Sequence, residues 1–104
     1  MSASDFTLYL FHISAPEPHI LTAVKAKPIN MLFRHLLWEN KSAEHGKGVL
    51  IEGATLSYQK LGFSKKEDQE TAVKLFKLTC GGMDWHSKQY NEVYLLTPAE
   101  LEEG

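Results

Sequence analysis

Cysteine and arginine are the residues that this chain has least of. Its 104 residues include one cysteine, Cys80, and one arginine, Arg34, among eleven basic residues. A single thiol excludes an intramolecular disulfide and a cysteine-based zinc site. Because phosphate contacts need clustered lysine and arginine, the scarcity of arginine and the net charge of −2 argue against nucleic-acid binding as a main task.

Long apolar runs and nucleotide-binding motifs are also absent from the sequence. The aromatic run Phe6–Phe11 is far shorter than the roughly 20 residues of a membrane-spanning helix, and no basic stretch precedes it. We therefore expect no membrane span, no targeting segment and a cytoplasmic location. The glycines form neither a G-x-G-x-x-G nor a G-x-x-x-x-G-K-[ST] motif, so we expect no nucleotide cofactor.

Catalytic and metal-binding patterns are weak. No two of the five histidines are three or four residues apart, the spacing that places two metal ligands on one helical turn. Cys80 lies at the predicted end of a helix, where the helix dipole disfavours a thiolate. The acidic residues Glu67, Asp68 and Glu70 suit the first turns of that helix as solvated charges. The sequence predicts no enzyme, no metal site and no cofactor.

The composition, 43% hydrophobic and 23% charged, is typical of one globular domain over residues 1–104. Residues 99–104 read as a frayed acidic tail. Apolar periodicity and turn residues predict six main elements, with 19–27 ambiguous: a strand at 5–14, a helix at 28–41, strands at 48–52 and 55–61, a helix at 64–80 and a strand at 92–97. The first strand is apolar on both faces, which is typical of a central strand.

This order predicts an α+β domain of the ferredoxin-like βαββαβ type. Its four-stranded antiparallel sheet would carry both helices on one face. The alternative fold is a winged helix, in which 55–61 would be helical and 83–97 would form the wing. Whether 55–61 is a strand or a helix distinguishes the two folds.

Helix 28–41 has more apolar surface than one sheet needs. One stripe suits a core and contains Ile29, Leu32, Phe33, Leu36 and Leu37. Met31, His35 and Trp38 fall on the other side, at spacings of four and three. Tryptophan and methionine are enriched at protein interfaces, so this side predicts a partner-binding face, unless another segment of the chain covers it.

The segment 81–90 is the second candidate binding surface. It begins with Gly81-Gly82 and contains Trp85, His86 and Tyr90 in an irregular stretch. Loops of this kind present functional residues from a rigid scaffold. The alternative is that Trp85 or Tyr90 plugs one end of the core.

Together these features predict a small non-enzymatic protein that acts through protein–protein contact, as a homodimer or as a regulator or inhibitor of a larger partner. The predicted contact residues are Met31, His35, Trp38, Trp85, His86 and Tyr90. The alternative function is that of a winged-helix DNA-binding regulator, and a third hypothesis is an enzyme that uses His86 with loop residues.

Overall fold

The structure, a computed structural model, describes residues 6–41, 43–79 and 90–102, without the side chains of residues 77–79 and 90. The helices and strands in chain order are β1 (Phe6–Ala15), α1 (Pro18–Lys25), α2 (Ile29–Glu39), β2 (His45–Val49), β3 (Thr55–Phe63), α3 (Lys66–Thr79), β4 (Tyr90–Leu96) and α4 (Pro98–Glu102), with a 3₁₀ turn at Ile51–Gly53. They form an α+β domain.

The four strands form one antiparallel sheet in the order β2-β3-β1-β4. Strand β1 lies inside the sheet, where Phe11 is the register partner of Tyr58 on β3 and of Tyr94 on β4. The prediction of a central first strand is therefore confirmed. Its two-sided apolar pattern fits burial on both faces, since Leu8 and Phe11 point to opposite faces and are both fully buried.

The winged-helix alternative is wrong as a fold. It required a helix over 55–61, and this stretch belongs to β3, which pairs with β1 on one side and β2 on the other. Leu56 and Tyr58 point to the same face and are both buried, as the alternating pattern predicts. Burial of this alternating face favours the extended conformation over a helix.

The main core lies between α1, α2 and one face of the sheet. Phe33 of α2 stacks on Phe11 of β1 with ring centroids 4.1 Å apart. Around this pair lies one cluster of buried side chains: Ile13, Ala15, Ile20, Val24, Leu36, Leu37, Ala54, Leu56, Tyr58 and Leu101. Helix α2 is thus anchored by the stripe that its periodicity predicts.

Helix α3 lies against the two inner strands of the sheet. It contacts β1 and β3, and the Gln69 side-chain amide donates a hydrogen bond to the Thr7 carbonyl at 3.0 Å. None of the hydrophobic side chains described on α3 packs against the core cluster around Phe11. Leu8 points to the opposite face of β1 and is fully buried outside that cluster. At Leu8, the second face of β1 is therefore covered as well.

Two glycines let α2 lie close to β2. A Cβ on Gly46 would lie 2.6 Å from the side chains of Asn40 and Tyr58, and one on Gly48 would lie 3.1 Å from Leu36. The strand runs from His45 to Val49, three residues earlier than predicted. Part of the predicted strand is the 3₁₀ turn, where Gly53 has φ +86°. The prediction centred the strand on the apolar run 49–51. Glycine weakens the interior of a strand, so the sequence alone did not indicate that Gly46 would belong to one.

The prediction that residues 99–104 form a frayed tail is corrected by α4, which spans Pro98–Glu102. A capping box begins this helix: the Thr97 amide donates to the Glu100 carboxylate at 2.9 Å, and the Glu100 amide donates to the Thr97 hydroxyl at 3.2 Å. Leu101 is only 3% exposed and belongs to the core cluster. Burial of this side chain explains why the acidic segment is ordered. Glu103 and Gly104 lie outside the described residues.

The helices of the described ranges are short. The longest is α3, with 14 residues. None of them combines the length and the apolar character that a membrane-spanning helix requires.

Candidate functional site

The outer side of α2 is the first candidate surface, and its three predicted residues are exposed. We call Met31, His35 and Trp38 the α2 ridge. Met31 is 54% exposed and Trp38 is 78% exposed, while the inner residues Phe33 and Leu36 of the same helix are buried. In the described ranges, therefore, no segment of the chain covers the ridge.

Contacts within the ridge hold its side chains together. The His35 ring lies edge-on to Trp38 with centroids 6.5 Å apart. The Nε2 atom of His35 is 3.4 Å from a carboxylate oxygen of Glu39, one turn further along the helix. Because both side chains of this pair are exposed, it contributes little to stability. The ridge thus presents an indole, an imidazole and a thioether to solvent.

A groove separates the ridge from the C-terminal helix. It has a volume of about 250 Å³ and is lined by Tyr9, Arg34, Leu37, Trp38, Pro98, Leu101 and Glu102. Two side chains on α2 hold α4 in place through its backbone. Asn30 donates to the Glu100 carbonyl at 2.9 Å, and Arg34 donates to the Leu101 carbonyl. These bonds supply partners for carbonyls that the end of a helix leaves unpaired. Residues of α4 therefore line one side of the groove beside Trp38.

A second groove, here called the α2–β2 groove, lies on the other flank of the ridge. It has a volume of about 270 Å³ and is lined by Leu32, His35, Leu36, Glu39, Gly48, Val49, Leu50 and Leu56. A neighbouring cavity of about 250 Å³ shares Leu32 and Leu50 with it and adds Val24, Lys27 and Ile51. His35 belongs to both the ridge and this groove, so the two surfaces are continuous.

Exposed apolar side chains concentrate at this place. Among the described residues, five large hydrophobic side chains are exposed, and four of them, Met31, Trp38, Val49 and Ile51, lie on the ridge or line a groove on the β2 side, although the Val49 side chain itself projects from the sheet face opposite α2. The fifth, Leu75, lies on α3 and is 55% exposed. Single exposed hydrophobic residues are ordinary, whereas a cluster of them is typical of an interaction site.

The second predicted surface cannot be compared with the structure. Trp85 and His86 lie outside the described residues, and so does the side chain of Tyr90, whose backbone begins β4. The alternative roles of the segment 81–90, binding loop or core plug, stay predictions. The same holds for the hypothesis of an enzyme that uses His86.

Polar groups elsewhere form pairs. His12 Nε2 lies 2.7 Å from the side-chain oxygen of Asn91, and Lys25 lies 2.8 Å from Glu92. The hydrogen bond to Glu92 raises the pKa of Lys25. Burial, reinforced by Glu92 and opposed by Lys25, raises the pKa of Tyr94. No cluster of three or more metal-ligating side chains occurs within residues 6–41, 43–79 and 90–102.

Val49 and Ile51 extend the candidate surface beyond the residues that sequence reasoning selected. The sequence assigned both to a strand, without indicating which of its apolar residues the sheet would bury. The alternating stretch from Gly46 to Val49 does indicate this exposure. In a strand, Val49 points to the same face as Lys47, whereas the two glycines beneath α2 point to the other face. Val49 is 79% exposed.

Searches against family models, curated proteins and solved structures find no match to this chain. The functional conclusion therefore depends on the geometry of the α2 ridge and its grooves.

Proposed function

We propose that this chain is a non-enzymatic cytoplasmic protein that acts through protein–protein contact. It requires no cofactor, and its binding surface combines the α2 ridge with the α2–β2 groove. The partner is a second copy of the chain or a larger protein that the chain regulates or inhibits. The observation that carries the proposal is the exposure of Trp38 and Met31 on a helix whose other side already fills the core.

The physical support is the free energy that such a surface releases when it is covered. Burying a large apolar side chain contributes about 1.5–3 kcal/mol relative to leaving it exposed. Tryptophan is also enriched among the few interface residues that contribute most of the binding energy. A specific interface buries on the order of 800 Å² on each partner, an area of about 20 residues. The ridge and the groove together offer a surface suited to that task.

A finer description of the fold belongs to the same proposal. We propose a ferredoxin-like βαββαβ arrangement, and the sheet order β2-β3-β1-β4 supports it. The order makes β1 parallel to β2 and β3 parallel to β4, so α2 and α3 lie in crossovers between parallel strands. Such crossovers are almost always right-handed, and two right-handed crossovers here would share one face.

The first experiment measures self-association with a matched pair of variants. Met31 and Leu75 are both helical and almost equally exposed, at 54% and 55%, but only Met31 lies on the ridge. Sedimentation equilibrium over a wide concentration range gives the dissociation constant of any dimer. We expect Met31→Glu to weaken a ridge-mediated dimer by about tenfold or more, because it places a charge in an apolar contact. We expect Leu75→Glu to leave the dissociation constant unchanged.

Equal effects of the two variants would contradict a ridge interface. If the chain stays monomeric at every concentration, the homodimer is excluded and the proposed partner is a larger protein. Both variants change an exposed helical residue, so their free energies of unfolding are expected to stay within about 0.5 kcal/mol of the wild type. Loss of association is then separable from loss of folding.

In a mobility-shift assay with random-sequence DNA, we expect no complex even at low salt.

A further inference from the structure

The outer edge of β2 is open among the described strands, because β2 ends the sheet and pairs only with β3. Two backbone hydrogen bonds fix which groups face β3. The Lys60 amide donates to the Glu44 carbonyl at 2.6 Å, and the Leu50 amide donates to the Ala54 carbonyl at 2.7 Å. In an antiparallel ladder the facing groups alternate along the strand. The amides and carbonyls of His45, Lys47 and Val49 therefore point outward.

Side chains on the two faces of β2 differ in chemistry. Gly46 and Gly48 lie on the face beneath α2, and Gly48 lines the α2–β2 groove. His45, Lys47 and Val49 project from the opposite face and are all exposed. An antiparallel strand added at this edge would alternate in the same way. Its residues opposite Gly48 and Leu50 would point toward the groove, and the residue opposite Lys47 would meet the ammonium group.

We propose that the outer edge of β2 binds an extended segment of a partner protein in which apolar residues alternate with acidic ones. This inference rests on the proposed function and names the partner's chemistry. The outward backbone groups of His45, Lys47 and Val49 supply the hydrogen bonds. The α2–β2 groove takes the apolar side chains, and Lys47 selects an acidic one. Recognition of this kind draws affinity from backbone hydrogen bonds and specificity from the pockets for alternate side chains.

A second copy is a poorer occupant of this edge than a different protein. The exposed face of β2 carries His45 and Lys47 and no acidic residue. In self-pairing about a two-fold axis at Lys47, two ammonium groups would lie opposite each other, which is destabilising. Lysine on an edge strand is a known device against such pairing. The same charge favours an acidic segment from a different chain.

The experiment uses synthetic peptides and the isotope-labelled full chain. The probe is a seven-residue peptide of alternating valine and glutamate with blocked ends, and the control probe alternates valine and lysine. We expect the glutamate peptide to slow amide hydrogen exchange at His45, Lys47 and Val49. Exchange at Gly46 and Gly48, whose amides already face β3, should change little. The lysine peptide should leave exchange at all five amides unchanged.

Charge-reversed variants give the second readout. We expect Lys47→Glu to weaken binding of the glutamate peptide about fivefold and to strengthen binding of the lysine peptide. Lys66→Glu makes the same charge change at the start of α3, away from the edge, and should leave both affinities unchanged. The chain exposes both lysines, so neither variant is expected to impair folding.

Four results would overturn the inference. The first is peptide binding that shifts Met31 and Trp38 resonances without protecting the β2 edge, which would leave the proposed ridge intact. The second is protection of the edge amides that grows with protein concentration alone, which would make the occupant a second copy. The third is equal binding of the two peptides to the wild-type chain. The fourth is no protection by either peptide at millimolar concentration. Failure of the ridge itself is detected separately, by the Met31→Glu and Leu75→Glu comparison.

Discussion

The two sides of α2 are similar in amino-acid type and opposite in environment. The inner side places Phe33, Leu36 and Leu37 in the core, where Phe33 is completely buried. The outer side carries Met31 and Trp38, which are mostly exposed. Sequence periodicity alone assigns apolar residues to both sides. Only the packing shows that the sheet takes one side and, within the described residues, leaves the other in solvent.

This difference separates the residues that stabilise the fold from those proposed to bind a partner. Burial of an inner side chain already contributes to the free energy of unfolding of the monomer. Free energy from an outer residue is released only when another chain covers it. Substitutions on the two sides should therefore fall into two classes, one measured by unfolding and the other by association.

Phe33→Ala is expected to have the largest effect on stability. It removes a completely buried ring that stacks on Phe11 at 4.1 Å and leaves a cavity between α2 and the sheet. We expect a loss of about 3–5 kcal/mol in the free energy of unfolding, measured by urea denaturation. A loss below about 1 kcal/mol would show that the inner side of α2 is not the anchor of the fold.

Leu101→Ala tests whether α4 belongs to the inner class. Leu101 is only 3% exposed and lies in the same core cluster as the α2 residues Phe33, Leu36 and Leu37. We expect its truncation to lower the free energy of unfolding by about 2–3 kcal/mol. As a control, Glu102→Ala, on the exposed side of the same short helix, should change it by less than about 0.5 kcal/mol. Equal effects of the two substitutions would mean that α4 is not docked.

Tyr58→Phe tests the polar part of the inner side. The Tyr58 hydroxyl donates a hydrogen bond to the Ala43 carbonyl at 2.8 Å and so ties the segment that follows α2 to the sheet. We expect a loss of about 1 kcal/mol in the free energy of unfolding at neutral pH. An unchanged free energy would show that this hydrogen bond contributes nothing to the anchoring of α2.

The same variant should change the response to alkaline pH. Burial, with a smaller contribution from Tyr9, raises the pKa of Tyr58 above its ordinary value of 10.0. Because the folded chain then holds the proton more tightly than the unfolded chain, stability falls as pH rises above about 10. Tyr58→Phe should make this decline shallower. A decline should remain, because the pKa values of Tyr94 and Lys25 are raised in the same direction.

Trp38→Ala is expected to have the smallest effect on stability, although Trp38 is a larger side chain than Phe33, Leu101 or Tyr58. Most of the indole is already in solvent, and alanine is the better helix former. We expect a change below about 0.5 kcal/mol in urea denaturation. A loss above about 2 kcal/mol in the free energy of unfolding would mean that Trp38 stabilises the fold as the inner residues do. That result would contradict the proposed difference between the two sides of α2.

Much of the fold follows from the sequence, because the strongest signals are local. Alternation predicted β3 and the shared face of Leu56 and Tyr58, and periodicity predicted the inner stripe of α2. The Met31, His35 and Trp38 side of the helix could also be identified, since it is what remains once that stripe is assigned. These inferences need only the geometry of one helix or one strand.

Features that depend on contacts between distant segments were less accessible. The docking of α4 depends on a core site beneath Leu101 and on hydrogen bonds from Asn30 and Arg34, about 70 residues away in the chain. The sequence did contain its capping box, Thr97-Pro98-Ala99-Glu100, which the acidic composition obscured. The exposure of Val49 and the packing of α3 depend on which face each neighbouring helix takes, and local patterns do not determine that.

Site-specific photocrosslinking tests the role of the outer side of α2 most directly. Benzoylphenylalanine is placed at position 31 in one variant and at position 75 in another, two helical sites of almost equal exposure. The account predicts that, in cells producing the chain, irradiation gives one discrete protein adduct at position 31, which Trp38→Ala diminishes, and none at position 75. The same weak smear of adducts at both positions, unaffected by Trp38→Ala, would contradict it.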